Sequence, residues 1–153
     1  MQTRADLQPW IEEIASTVRA TPGFAPSYLE GMKASLMNRY MESLADFALS
    51  YAKAHGEDVD KIVAACREIT TTKGEGYAGS EDFLANFYRV GKREGIHAIS
   101  ALAVYVWKHI DWIDTFERTG VQHGSEGLAS RIGDIVLYAA LGRAIQIREA
   151  NKR

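Results

Sequence analysis

A single cysteine, Cys66, is present, so no intramolecular disulfide can form, and a reducing, cytoplasmic setting is the expectation. Its position at the end of Ile62-Val-Ala-Ala-Cys66 reads as a small core residue rather than a nucleophile. A basic excess is also missing. The 18 Lys and Arg against 20 Asp and Glu leave a net charge of -2, which argues against a dedicated nucleic-acid binder. Arg143, Arg148, Lys152 and Arg153 instead read as cations complementing the end of a last helix. The most apolar stretch, residues 96–113, is broken by His97, Lys108, His109 and Asp111, which makes it a poor membrane span. Met1-Gln-Thr-Arg-Ala-Asp6 shows no apolar signal-peptide core. β-Alternation, internal repeats and low-complexity segments are absent as well.

What the chain does have is helical periodicity. With 46% hydrophobic residues over 153 positions it is long enough to bury a core as one domain without metal or disulfide staples. The pattern predicts an all-α, single-domain bundle of about six helices. The first runs over 6–20 and stops at Thr21-Pro-Gly-Phe-Ala-Pro26. Leu29, Leu36, Tyr40, Leu44, Phe47 and Tyr51 then recur at spacings of three, four and seven, predicting one long helix over 26–54. Asp58 is placed to cap a third helix reaching residue 70, and Ser80 a fourth with Glu81 and Asp82 in its first turn. A fifth covers 97–118, and a sixth, capped by Ser125, runs to 150. Residues 1–56 read as an N-terminal helical extension packed on a core formed by 57–153.

Two features point toward chemistry. Lys73-Gly-Glu-Gly-Tyr-Ala-Gly79 is a glycine-rich, charged connection leading into a helix. Its glycines permit close ligand approach, and Lys73 is suited to neutralise a phosphate. The Walker pattern is absent, so this is not a P-loop. The alternative reading is a plain helix–helix connector. Tyr77, Asn86 and Phe87 are candidates to contact a base or sugar, although Phe83 and Phe87 at a spacing of four also read as core.

The second feature is the pair of final helices, each apolar on two faces. In the fifth, Lys108, Asp111 and Thr115 occupy the remaining arc, with Asp114 at one edge of the main apolar stripe and His109 on its other flank. In the sixth, Glu126, Ser130 and Asp134 follow one another at spacings of four. A helix apolar on both sides must be sandwiched inside a bundle or at a dimer interface. Enclosed carboxylates then need partners, because burying an unpaired charge costs several kcal/mol. Ion pairs such as Lys108 with Asp111 and Arg131 with Asp134 are one solution. Convergence of Asp111, Asp114, Glu126 and Asp134 on Mg²⁺ is the other.

Taken together, Lys73, Tyr77, Asn86-Phe87, Lys108-His109, Ser125-Glu126 and Arg131-Ile-Gly-Asp134-Ile-Val-Leu-Tyr138 resemble a family of small phage-encoded proteins, the nucleotide-modification-associated domains. That family is in turn distantly similar to the all-α, MazG-like nucleotide pyrophosphohydrolases. The resemblance spans roughly residues 58–150 and leaves the first two helices unaccounted for. It implies hydrolysis of a nucleoside triphosphate to the monophosphate and pyrophosphate, with Mg²⁺ held by a Glu-x-x-Glu pair and a later Glu-x-x-Asp pair. Asp111 and Asp114 would stand for the first pair and Asp134 for the final aspartate, whereas Arg131 occupies the preceding glutamate's place. Glu126 is the substitute ligand under this implication, and Glu126 and Asp134 would carry the catalytic role. Lys73, Lys108 and Arg131 would meet the phosphates. An arginine beside the metal repels the cation or binds phosphate bidentately, so a non-catalytic nucleotide binder, sequestering or regulatory, stands as the alternative. A third expectation is a helical protein–protein interaction module. A closed homodimer fits all three.

Overall fold

The computed structural model describes residues 3–20, 27–69, 82–124 and 127–152. Among these, every regular element is helical. A 3₁₀ turn (Arg4–Asp6) leads into α1 (Leu7–Ala20), followed by α2 (Tyr28–Met37), α3 (Met41–Ala54), α4 (Val59–Glu68), α5 (Ala85–Glu94), α6 (Ala98–Thr119) and α7 (Leu128–Asn151). None of the described helices is long and apolar enough to cross a membrane. The expected all-α bundle is what forms.

α7 is the axis around which the others gather, packing on α3, α6, α4 and α1. Its sequence requires this arrangement: Leu128, Ile132, Ile135, Val136, Ala139 and Ile145 are buried, and Leu137, Tyr138 and Leu141 on the far side are half-buried. The N-terminal helices share the same core. Leu7, Ile11, Met32, Leu36, Leu44 and Leu49 lie in one hydrophobic cluster with Ile110, Ile113, Leu128 and Ile132.

The long helix expected over 26–54 is broken in two at Arg39. Arg39 takes a left-handed conformation, with φ 61°. The Tyr40 N–H donates to Ser35 O at 2.8 Å and the Arg39 N–H to Leu36 O at 3.1 Å, the paired bonds that terminate a helix. The Arg39 guanidinium donates to Leu36 O at 2.7 Å, and Gln146 Nε2 on α7 donates to Arg39 O at 2.8 Å. Arginine replaces the usual glycine because its side chain and carbonyl both find partners. Apolar spacing continues across the corner, which is why periodicity alone ran the two helices together. After the turn, α3 folds back on α2, and Gly31 allows the approach: a Cβ there would sit 2.7 Å from the Phe47 ring.

Two further boundaries differ from expectation. α5 begins at Ala85 rather than at Ser80, a residue outside the described ones. Asp82 therefore precedes the helix, where its Oδ1 accepts the Leu84 N–H at 3.0 Å and its carboxylate takes both guanidinium nitrogens of Arg148 at 2.9 and 3.0 Å. α7 begins at Leu128 with Gly127 as N-cap; of the expected ridge, Ser130 and Asp134 lie on this helix, and Glu126 lies outside the described residues. Asp58 caps α4 as anticipated, accepting the Asp60 N–H at 2.9 Å. Gly95, with φ 70°, ends α5 and turns the chain into α6.

Candidate functional site

α6 presents two polar edges on either side of its buried face, and each meets a different helix. At about 100° per residue, Asp114 lies roughly 140° around the helix from His109. The Asp114 edge faces α2, where Lys33 Nζ donates to Asp114 Oδ1 at 3.0 Å, and Arg118 Nε approaches the same carboxylate at 3.4 Å. The Lys33 hydrogen bond holds the Asp114 carboxyl below its ordinary pKa and raises that of Lys33 in return. Both groups are about one-third exposed, with Glu30 as a further neighbour of Lys33, so this edge is a clip between helices.

The His109 edge faces α7. The His109 side chain is 11% exposed and Asp134 31%. Arg131 Nη1 donates to His109 Nδ1 at 3.2 Å, and His109 Nε2 lies 3.8 Å from Asp134 Oδ2. The Arg131 guanidinium carbon stands 5.4 Å from the centre of the Trp112 ring, a cation–π distance. Trp112 is itself held by its indole N–H, which donates to His123 O at 3.0 Å. Beyond His109, Tyr138 stacks with Tyr105 at 6.0 Å and 8° between planes, and Phe87 meets both edge-on. Cys66 on α4 approaches α7, where its Sγ–H donates to Gly133 O at 3.5 Å. Burial, and then the charge of Asp134, push its thiol up to about 12, so it is an inert neutral group as the sequence suggested.

The nominated residues therefore separate into groups. Arg131 and Asp134 come together, one turn apart on α7 and joined through His109. Phe87 reaches the same seam, but as a buried ring within the aromatic cluster; Asn86 beside it is half-buried. Lys108 and Asp111 are exposed on α6, and Asp111 lies about 200° around the helix from His109, on a different face from Asp134. Asp114 belongs to the α2 clip. Lys73, Tyr77 and Glu126 lie outside the described residues. Among the described residues, no group of three or more His, Cys, Asp or Glu is placed to hold a metal ion.

The sequence assigns no site role to His109, Trp112, Tyr105 or Tyr138, although His109 and Tyr138 fall within the resembling residues and a further signal exists. Tyr105, His109 and Trp112 follow at spacings of four and three, and Arg131, Asp134 and Tyr138 at three and four. These are two matching ladders of groups that hydrogen-bond or stack. Read one helix at a time, each ladder passes for the border of an apolar stripe.

Two open clefts lie elsewhere. One, of about 730 Å³, sits at the α2–α3 corner against α7, between Trp10, Arg39, Tyr40, Phe47, Arg143 and Gln146. The other, of about 710 Å³, lies between the end of α5 and the last turns of α7, lined by Tyr88, Lys92, Ile96, His97, Ile145 and Glu149. Neither includes a nominated residue. No family model matches the chain, and no curated protein and no solved structure matches it.

Proposed function

We propose that the protein binds a nucleoside phosphate at the seam of α6 and α7, with Arg131 as the phosphate contact. The observation that supports this reading is the Arg131 guanidinium itself: held between the Trp112 ring and a nitrogen of a buried histidine, beside an aromatic cluster. A guanidinium fork is suited to phosphate oxygens, and aromatic faces are suited to a base. The resemblance in sequence points to the same ligand class and assigns Lys73 and Lys108 to the phosphates, with Tyr77 and Asn86 near base or sugar. Phe87 supports the seam from within the core rather than offering an open face.

The described carboxylates Asp111, Asp114 and Asp134 do not gather around one point. That placement favours binding over hydrolysis: Asp114 is engaged by Lys33, and Asp111 faces away from Asp134. Calorimetric titration with nucleoside mono-, di- and triphosphates, with and without Mg²⁺, tests the reading, and pyrophosphate release is followed in the same samples. Saturable binding that Arg131→Met weakens at least about tenfold, a loss of about 1.4 kcal/mol, is the expected result. Pyrophosphate release that requires Mg²⁺ would establish the catalytic version instead. Absence of both heat and thermal shift across the panel removes the proposal.

A further inference from the structure

The contact between Arg131 and His109 carries more than its distance. Guanidinium has five N–H donors and no acceptor, so a hydrogen bond from Arg131 Nη1 requires a lone pair on His109 Nδ1. The ring proton must then sit on Nε2, which is the nitrogen facing the Asp134 carboxylate at 3.8 Å. We infer that His109 is a positioning residue: the neutral Nε2–H tautomer, with Nε2 on the side of Asp134, presents Nδ1 to Arg131 and fixes the guanidinium at the ligand seam. Burial holds the ring in place, and Tyr138 flanks it at a centroid distance of 5.9 Å. Trp112 limits the guanidinium from another side.

Comparison with Arg148 shows what an imidazole does here. Arg148 is gripped by both oxygens of Asp82, a contact that orders the guanidinium and also offsets its charge. His109 orders Arg131 through a neutral acceptor, a contact that fixes the guanidinium without itself pairing its charge. The inference deepens the proposed phosphate contact and rests on it for the affinity measurement alone. The tautomer and the hydrogen bond are properties of the free protein.

The test has two arms. Long-range proton–nitrogen correlation on histidine-labelled full-length protein at neutral pH should show Nδ1 of His109 unprotonated and Nε2 protonated. On arginine-labelled protein, a slowly exchanging Arg131 guanidinium N–H, assigned by its loss in Arg131→Lys, should vanish in His109→Phe. It should return in His109→Asn, whose amide oxygen reaches near the Nδ1 position. Phosphate-ligand affinity should follow, falling about tenfold in His109→Phe and staying within roughly threefold in His109→Asn. A protonated Nδ1 in the wild type, or unchanged Arg131 exchange in His109→Phe, overturns the inference. If His109→Phe fails to fold, the wild-type tautomer and His109→Asn decide the matter. If no nucleotide binds the wild type, the proposed function falls while the resonance arms still decide the role of His109.

Discussion

The two edges of α6 use similar residues for different ends. At one, Asp114 meets Lys33 across to α2, a direct ion pair between two groups still open to water. At the other, the His109 imidazole stands between Arg131 and Asp134, with rings on either side. A solvated pair of opposite charges fastens helices and contributes little, because water screens it and ordering two side chains costs entropy. An enclosed cation with a neutral acceptor is stabilised less by charge neutralisation and more by fixed geometry.

The contrast predicts a graded set of responses. The largest should come from Arg131→Met, which removes the donor to His109 Nδ1 in a buried setting. A cost of about 1–3 kcal/mol is expected, together with the loss of ligand affinity. Thermal unfolding should register it as a fall of about 2–4 °C per kcal/mol for a chain of this size. A variant with unchanged Tm and unchanged affinity would place Arg131 with the clips.

Next comes Arg148→Met. Asp82 is held below its ordinary pKa chiefly by the Arg148 hydrogen bonds, so it contributes stability above its unfolded pKa and loses it as pH falls through the lower folded value. Wild type should therefore lose stability below about pH 4, and Arg148→Met should show a flatter acid limb, read by urea midpoints across pH. An equally steep limb in the variant would remove Asp82 from that role.

A smaller effect is expected for Lys33 and Asp114. A double-mutant cycle with Lys33→Met and Asp114→Asn should give a coupling of roughly 0.2–1 kcal/mol. It should shrink in 1 M salt, where the Debye length is about 3 Å. The signs follow from the shifts: Asp114, lowered, stabilises above its unfolded pKa, and Lys33, raised, stabilises below its own until pH rises through the folded value. Ligand affinity should not move in either single variant. A tenfold change would mean that the two edges are not separate.

The smallest response is expected at Cys66. With its thiol raised to about 12, native protein at pH 8 should resist iodoacetamide and label only on unfolding. Rapid labelling of the folded chain would show that the packing of α4 on α7 is open at Cys66.

Much of this was legible beforehand and some was not, for identifiable reasons. Leu7, Trp10, Ile11, Ile14 and Val18 declare α1 because apolar spacing of three and four is a local property. Asp58 declares its cap for the same reason. The α2–α3 corner was hidden because Leu36, Tyr40 and Leu44 keep helical spacing across it, while the turn depends on Gln146, more than a hundred residues away, bonding Arg39 O. In the site, Arg131 and Asp134 were visible as polar residues in an apolar helix. Their link was not, because His109 lies on another helix and reads alone as a flank residue. Asp111 and Asp114 looked like a pair by spacing and do lie only about 60° apart around α6, yet Lys33 reaches across from α2 to engage Asp114 while Asp111 stays exposed.

By itself, then, the sequence determined that this chain is helical throughout its described parts, that its last helix must be sheltered on both sides, and that charged groups would sit inside that shelter. These follow from periodicity and from the cost of exposing apolar surface. Which charges meet was decided only by the tertiary structure. An ion pair between α2 and α6, and an arginine held by histidine between α6 and α7, depend on the rotation of packed helices about their own axes, and that rotation is fixed by long-range packing rather than by any local run of residues.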